Sequence, residues 1–234
     1  MILANVRSRL RPADLRLVVV ALSRGSATRR ARYECLLATE GPDALLDQPG
    51  LLDALIAIRS FVVPSPELFL WVAVRHGLLA ARIDDLPLSD YLAALVLGFG
   101  ERDHAYRIAD DDDQTYRYLT DLVSELEGQP RGERAFQLQV HLGEFSLWLA
   151  GLFPDYVEAR RVRRGGPDLP YYDALGRQGY RLAADHTVAK RHGLTPIFEA
   201  AADRFPAVRN AFNRMSDRFF FPNVFSEARV LRSV

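Results

Sequence analysis

Four side chains with metal-binding or acid–base potential lie in two short pairs along this sequence. His141 and Glu144 are three residues apart within the apolar run 136–153, and Glu101 and His104 form a Glu-x-x-His pair further upstream. Residues three apart lie on the same face of a helix, so each pair can direct a carboxylate and an imidazole toward one ion. Such pairs could support metal-dependent oxidation, as in di-iron carboxylate proteins.

The metal hypothesis is incomplete on the sequence alone. A di-iron bundle needs Glu-x-x-His on two helices and a glutamate from each of two others, whereas this chain has the motif once in that order. An apolar helix face normally excludes titratable groups, because burying one without a partner costs on the order of several kcal/mol. The structural alternative is that His141 and Glu144 point inward and pair with each other or with neighbouring arginines. We expect no bound cofactor and keep a metal-dependent oxidoreductase as an alternative hypothesis.

A second candidate site is a basic cluster at the end of a short predicted helix. Guanidinium groups there would crowd the negative end of the helix dipole, where an anion-bearing partner can bind them. The functional interpretations are a small phosphorylated ligand, nucleic acid or an acidic protein, and the alternative is a solvated loop with internal ion pairs. No glycine-rich nucleotide motif accompanies the cluster and no aromatic residue is interleaved with it, which argues against a nucleic-acid site. The cluster comprises Arg160, Arg161, Arg163 and Arg164.

Three consecutive aromatic residues, Phe219, Phe220 and Phe221, precede Pro222 near the C-terminus. They cannot all face one side of a helix, so at least one is expected to lie outside the core or beneath the C-terminal tail. We interpret this region as a candidate contact for a protein partner or for a second copy of the chain.

Several polar residues occupy inward-facing helical positions. His76 lies near the apolar stripe of its helix, which favours a histidine bonded to a backbone carbonyl. Tyr172 and Tyr180 lie on one face of a later helix, where their hydroxyl groups need polar partners inside the protein. We expect a buried polar network composed of His76, His141, Glu144, Tyr172 and Tyr180.

Two glycines interrupt the same later helix. Gly176 and Gly179 share its face with the two tyrosines, and a glycine in a helix interior costs about 1 kcal/mol against alanine. Close approach of another helix would offset that cost, since only glycine leaves room for a neighbouring backbone. The helix that bears Trp148 is the expected neighbour.

Composition excludes several classes of protein. The 234 residues carry 30 basic and 30 acidic side chains, so no global field gathers nucleic acid or anionic lipid. Cys35 is the single cysteine, which rules out an intrachain disulfide and a zinc site built on paired cysteines. No apolar run reaches the roughly 18 residues of a membrane-spanning helix, and the N-terminus lacks a secretory signal pattern. We therefore expect a cytoplasmic protein that associates with neither membranes nor nucleic acid.

Apolar residues recur at spacings of three and four along most of the chain, and the alternation typical of strands is almost absent. This pattern predicts about ten helices with short connections, which indicates an all-α protein built as a single globular multi-helix bundle or orthogonal array. We expect one helical domain over residues 1–222, with a candidate subdomain boundary in the acidic run 110–113. A C-terminal tail is expected over residues 223–234.

Start and stop signals predict several helix limits. The Ser-Pro-Glu sequence at 65–67 should begin a helix, and Ser89 should begin the next. Further helices are predicted over 136–153 and 171–190. The β-branched run at 18–20 leaves a short strand as an alternative to a helix there.

No complete catalytic or cofactor motif is present in the sequence, which favours a role without enzymatic activity. We hypothesise a protein-binding module, with a scaffold or regulatory role, that uses the arginine cluster and the three phenylalanines as contacts. The alternatives are the metal-dependent oxidoreductase and a sensor of a small phosphorylated ligand.

Overall fold

The computed structural model describes residues 4–58, 63–100, 104–108, 114–128 and 131–222. These residues form α-helices and their connections and contain no strand, which confirms the all-α prediction. They divide into two compact units, residues 4–97 and 98–222. The predicted single domain stays a prediction, because this division does not show whether the units unfold separately. The acidic run 110–113 and the tail 223–234 lie outside the described residues.

The described residues of the N-terminal unit form six α-helices and a short 3-10 helix at Arg7–Arg9. The β-branched residues Val18 and Val19 are buried inside the first α-helix, so the strand alternative is wrong. The second α-helix lies on the surface of the unit and buries none of its residues. The six are α1 (Pro12–Ser23), α2 (Ala27–Glu40), α3 (Pro42–Leu46), α4 (Leu51–Ile56), α5 (Pro66–Ala80) and α6 (Leu86–Gly100), which extends past the boundary of the unit.

Side-chain caps set the starts of α5 and α6. The Ser65 hydroxyl accepts a hydrogen bond from the backbone N–H of Leu68 at 3.1 Å, as its sequence context predicts. The predicted start of α6 at Ser89 is wrong, because Asp85 caps this helix by accepting from the N–H of Leu88 at 2.9 Å. Ser89 lies one turn inside the helix, where its hydroxyl donates to the Asp85 carbonyl at 2.6 Å.

The second unit surrounds one long helix, α8 (Glu133–Leu152), of which sixteen of twenty residues are buried. A helix that is buried on nearly all sides must lie at the centre of its unit, with other helices packed around it. Helix α13 continues into a single π-helical turn at Ser216–Phe220. The other α-helices of this unit are α7 (Leu119–Gly128), α9 (Pro154–Arg164), α10 (Leu169–Asp185), α11 (Thr187–Arg191), α12 (Thr195–Asp203) and α13 (Phe205–Met215).

The helix predicted over 171–190 is two helices. The backbone of His186 is extended, with φ −71° and ψ 144°, which ends α10 and begins α11. The His186 imidazole caps the new helix, because its Nδ1 accepts from the N–H of Val188 at 3.2 Å.

Helices α8 and α10 pack at unusually short range, which confirms the approach predicted from the glycines of α10. A methyl group on Gly176 would overlap the ring of Phe205, and one on Gly143 of α8 would lie 2.8 Å from the ring of Tyr180. The small residues therefore let the two helices and α13 share one tightly packed core. Within the described part of the chain, every helix falls short of the length and hydrophobicity that crossing a bilayer requires.

Candidate functional site

A cavity of about 360 Å³ opens beside α8 and α9 in the second unit. This volume lies within the range of sites for small molecules, roughly 300 to 1,000 Å³. Phe145, Trp148 and Leu149 of α8 form one wall, and Tyr156 and Arg160 of α9 form another. Phe153, which joins the two helices, also lines the cavity. The lining further includes Phe99, Ala105, Tyr106 and Arg117.

Helical spacing explains why these walls are continuous. Phe145, Trp148 and Leu149 are three and four residues apart, so their side chains emerge on one face of α8. Tyr156 and Arg160 are four apart and share a face of α9. Between the helices, the backbone of Phe153 leaves the helical region, with φ −125° and ψ 46°, and its side chain lines the cavity.

The aromatic rings of the pocket hold one another in edge-to-face contacts. The Trp148 ring lies 5.6 Å from the ring of Phe99 and 5.3 Å from that of Phe153, at interplanar angles of 69° and 62°. The Tyr106 and Phe145 rings are 5.9 Å apart at 72°. These are the preferred geometries of aromatic pairs, so the walls are set before any ligand arrives.

The segment that carries Arg117 and Tyr118 is anchored by the buried Tyr116. The backbone N–H of Tyr116 donates to the carbonyl of Tyr106 at 2.7 Å, which ties this segment to the turn lining the pocket. Arg134 donates through Nη2 to the Tyr116 hydroxyl at 2.6 Å, and Tyr116 also contacts the Glu125 carboxylate. The pocket mouth is therefore held by hydrogen bonds as well as by packing.

The charged residues that the structure describes in the pocket lining are all basic. They are Arg117 and Arg160, and no carboxylate of the described part of the chain lines the cavity. Among the described residues neither arginine forms an ion pair, whereas the guanidinium carbon of Arg160 lies 4.7 Å from the centroid of the Tyr118 ring. This is a cation–π contact, which holds the guanidinium group without neutralising it.

The predicted pair His141 and Glu144 lies behind the pocket rather than in it. Both are buried, at 3% and 2% exposure, and neither lines the cavity. The His141 ring stacks on Phe145 at 5.9 Å and 7°, and lies 5.6 Å from the ring of Phe99. Both of these phenylalanines line the cavity, so the imidazole supports its wall.

The four-residue metal hypothesis stays a prediction. Glu101 and the side chain of His104 lie outside the described residues. In the part of the chain that the structure describes, no group of three or more candidate ligands could hold a metal ion. Elemental analysis of the purified protein and of a His141→Ala variant tests the hypothesis, since a bound metal should be lost with its imidazole ligand.

The remaining members of the predicted polar network occupy other places. Tyr180 is fully buried over Gly143 on the side of α8 that faces α10, away from the ring of Phe145. Burial raises the pKa of Tyr172, and the positive charge of Arg160 partly opposes this rise. His76 belongs to the N-terminal unit, where its Nε2 lies 2.9 Å from the Leu46 carbonyl oxygen and donates to it.

The four arginines of the α9 cluster have different surroundings. Arg160 lines the pocket, while Arg161 pairs with Glu158 on its own helix at 2.6 Å. Arg163 and Arg164 are exposed beyond the pocket, with no ion pair among the described residues.

The three phenylalanines lie at the end of the π-helical turn. Phe220 and Phe221 are exposed at 39% and 36%, and Phe219 is half-buried. The Phe221 ring lies 5.6 Å from the ring of Phe153, so this segment reaches a residue of the pocket wall.

Sequence reasoning missed most of the pocket. The spacing of Phe145, Trp148 and Leu149 marks one face of a helix, but it does not distinguish a pocket wall from a filled core. Phe99 and Arg117 join this wall only through tertiary contacts, for which the sequence carries no local signal. Comparison of the chain with family models, with curated proteins and with solved structures finds no match.

Proposed function

We propose that this protein binds a small molecule with an apolar body in the aromatic pocket beside α8 and α9. The observation that carries the proposal is a cavity of about 360 Å³ whose aromatic walls are fixed by edge-to-face contacts. Water in such a cavity finds few hydrogen-bonding groups, so its release to an apolar ligand is favourable. A preformed wall also spares the ligand the entropic cost of ordering side chains.

Trp148 provides a direct readout of occupancy. The chain has two tryptophans, and a Trp71→Phe variant leaves Trp148 as the remaining one. Titration of this variant with phenylbutanol, which does not absorb where tryptophan is excited, should change the Trp148 fluorescence with saturation. Isothermal titration calorimetry of the unmodified protein should give the same dissociation constant.

A blocking variant tests whether the probe enters the pocket. Ala105 lines the cavity, so Ala105→Leu should fill part of it and weaken phenylbutanol binding by about ten-fold or more. Ala38 is exposed on α2, so Ala38→Leu adds the same bulk away from the cavity and should leave binding unchanged. Absence of saturable binding, or equal affinities in the two variants, would contradict the proposal.

Protein binding is a second candidate function, and the exposed pair Phe220 and Phe221 supports it. Adjacent aromatic side chains at a surface lose unfavourable contact with water when a partner covers them. Sedimentation velocity over a range of concentrations should show self-association that weakens in a double Phe220→Ser, Phe221→Ser variant. A protein that stays monomeric at every concentration would contradict a second copy as the partner.

A further inference from the structure

We propose that the pocket selects a ligand that joins an aromatic ring to an oxyanion, and that Tyr118 positions Arg160 to bind that oxyanion. The inference rests on the proposed small-molecule function and adds the chemical class of the ligand. The shared chemistry is a carboxylate or a phosphate monoester attached through a short chain to an aromatic ring.

The charge of the lining decides against other ligand classes. Aromatic cages often bind ammonium groups, but here Arg117 and Arg160 would repel a cation, and no carboxylate among the described lining residues would compensate it. A neutral ligand would leave both guanidinium groups without an anionic partner. An oxyanion at the pocket mouth accepts charge-assisted hydrogen bonds from them while its ring contacts the aromatic walls.

The pocket arginines differ from three arginines of the same unit that form ion pairs. Arg209 pairs with Asp173 at 2.8 Å, Arg134 with Glu125 at 2.9 Å, and Arg161 with Glu158. Such pairs occupy the guanidinium donors, and an incoming anion would have to displace a carboxylate. The two pocket arginines present no such competition among the described residues, so their donors are available to a ligand.

Tyr118 orients one of these donors. The guanidinium group of Arg160 lies over the face of its ring at 4.7 Å, and the N–H groups of guanidinium point outward in its own plane. Stacking therefore restricts the side chain without using its hydrogen-bond donors. Tyr118 lies two residues after Tyr116, and the hydrogen bonds of the Tyr116 hydroxyl and backbone anchor this segment. Tyr118 is thus a positioning residue that acts through Arg160.

Three matched compounds distinguish the contribution of the anionic group to affinity from that of the aromatic ring. Phenylbutanoate and phenylpropyl phosphate carry the two oxyanions, and phenylbutanamide replaces the carboxylate by a neutral group of the same size. Calorimetric titration should give dissociation constants about ten-fold lower for at least one anion than for the amide. The tighter of the two anions identifies the headgroup, and a preference for either one supports the inference.

Two variants on α9 test whether Arg160 causes the preference for the anion. Arg160→Gln should remove most of the preference for the anion, with a smaller part retained through Arg117, and change the affinity for the amide by less than about two-fold. Arg163 is exposed on the same helix and does not line the pocket, so Arg163→Gln should keep the preference. An anion preference that is undiminished in Arg160→Gln, or is reduced equally in Arg163→Gln, would overturn the assignment.

Tyr118→Leu tests the positioning role. The variant should weaken anion binding by about three-fold and leave the amide affinity unchanged, because the ring acts only through the guanidinium group. Equal losses for all three compounds would indicate a general structural role and overturn the assignment of Tyr118. If the amide and both anions bind the unmodified protein equally, this inference fails while the proposed function stands. If none of the three binds, the proposed function fails as well.

Discussion

Gly179 of α10 faces the backbone of Gln139 in α8 so closely that a methyl group on Gly179 would lie 2.7 Å from the Gln139 carbonyl oxygen. The same methyl group would lie 2.8 Å from the backbone nitrogen of Gly143. Real carbon–oxygen contacts are longer, so only glycine allows the two helices to pack this way. The pocket lies on another face of α8, and its geometry depends on the position of this helix.

Gly179→Ala should destabilise the protein by about 1 to 3 kcal/mol, because the two helix backbones must move apart or strain. Gly77 lies in α5 with nothing within 4 Å of the added methyl group, so Gly77→Ala should stabilise the protein by up to about 1 kcal/mol. Urea unfolding of both variants provides the comparison. Equal and favourable effects at both positions would show that the α8 contact is not close in solution.

Asn213 of α13 should stabilise the end of α8. Its side-chain amide donates to the carbonyl oxygens of Ala150 and Gly151 at 2.8 and 2.7 Å, and the residue is buried. Asn213→Ala leaves these carbonyl groups without their donor, and we expect a loss of about 1 to 3 kcal/mol in unfolding free energy.

The matched control for Asn213 is Asn210, which is exposed on the same helix. Asn210→Ala should be neutral or slightly stabilising, because alanine has the higher helix propensity. Thermal unfolding should therefore give a lower melting temperature for Asn213→Ala than for Asn210→Ala. A cap without energetic value would give the two variants the same melting temperature.

The ion pair of the buried Arg75 with Asp47 should contribute more to stability than its ion pair with Asp84. Arg75 donates from Nε and Nη2 to both oxygens of Asp47, at 2.9 and 2.7 Å, and the bond to Asp47 raises the pKa of Arg75. The Asp84 side chain also accepts from Arg75, but it is 78% exposed. Asp47→Asn should cost about 2 kcal/mol, and Asp84→Asn less than about 1 kcal/mol. Chemical denaturation measures both, and the reverse order would refute this account of Arg75.

Ionisation of Tyr172 should lower the free energy of unfolding at alkaline pH. Because burial raises its pKa above the ordinary value of about 10, the folded state holds the phenolic proton more tightly than the unfolded state does. The resulting stabilisation is complete below about pH 10 and is lost as the pH rises through the pKa of the folded state.

Tyr172→Phe should therefore reduce the decline of unfolding free energy above about pH 10. Tyr118 is exposed, so Tyr118→Phe serves as the control and should keep the decline of the unmodified protein. Urea denaturation at a series of pH values gives the two slopes. Identical slopes for Tyr172→Phe and the unmodified protein would contradict the buried environment of this hydroxyl.

Helix positions were largely predictable, because apolar spacing and capping residues act over a few neighbouring residues. Ser65 caps α5 as its context predicts, and the glycines of α10 indicated the close approach of α8. The errors arose where two signals competed. Asp85 rather than Ser89 caps α6, and the extended backbone of His186 divides a segment whose apolar periodicity continues.

The sequence by itself determined the all-α class and the burial of His141 and Glu144, since both follow from the periodicity of one chain segment. Only the tertiary structure decided that Phe145 and Trp148 border a cavity, and that Arg160 stands apart from the other arginines of its cluster. The physical reason is that helical spacing defines which residues share a face. What that face meets depends on residues such as Phe99 and Arg117, which are distant in the chain.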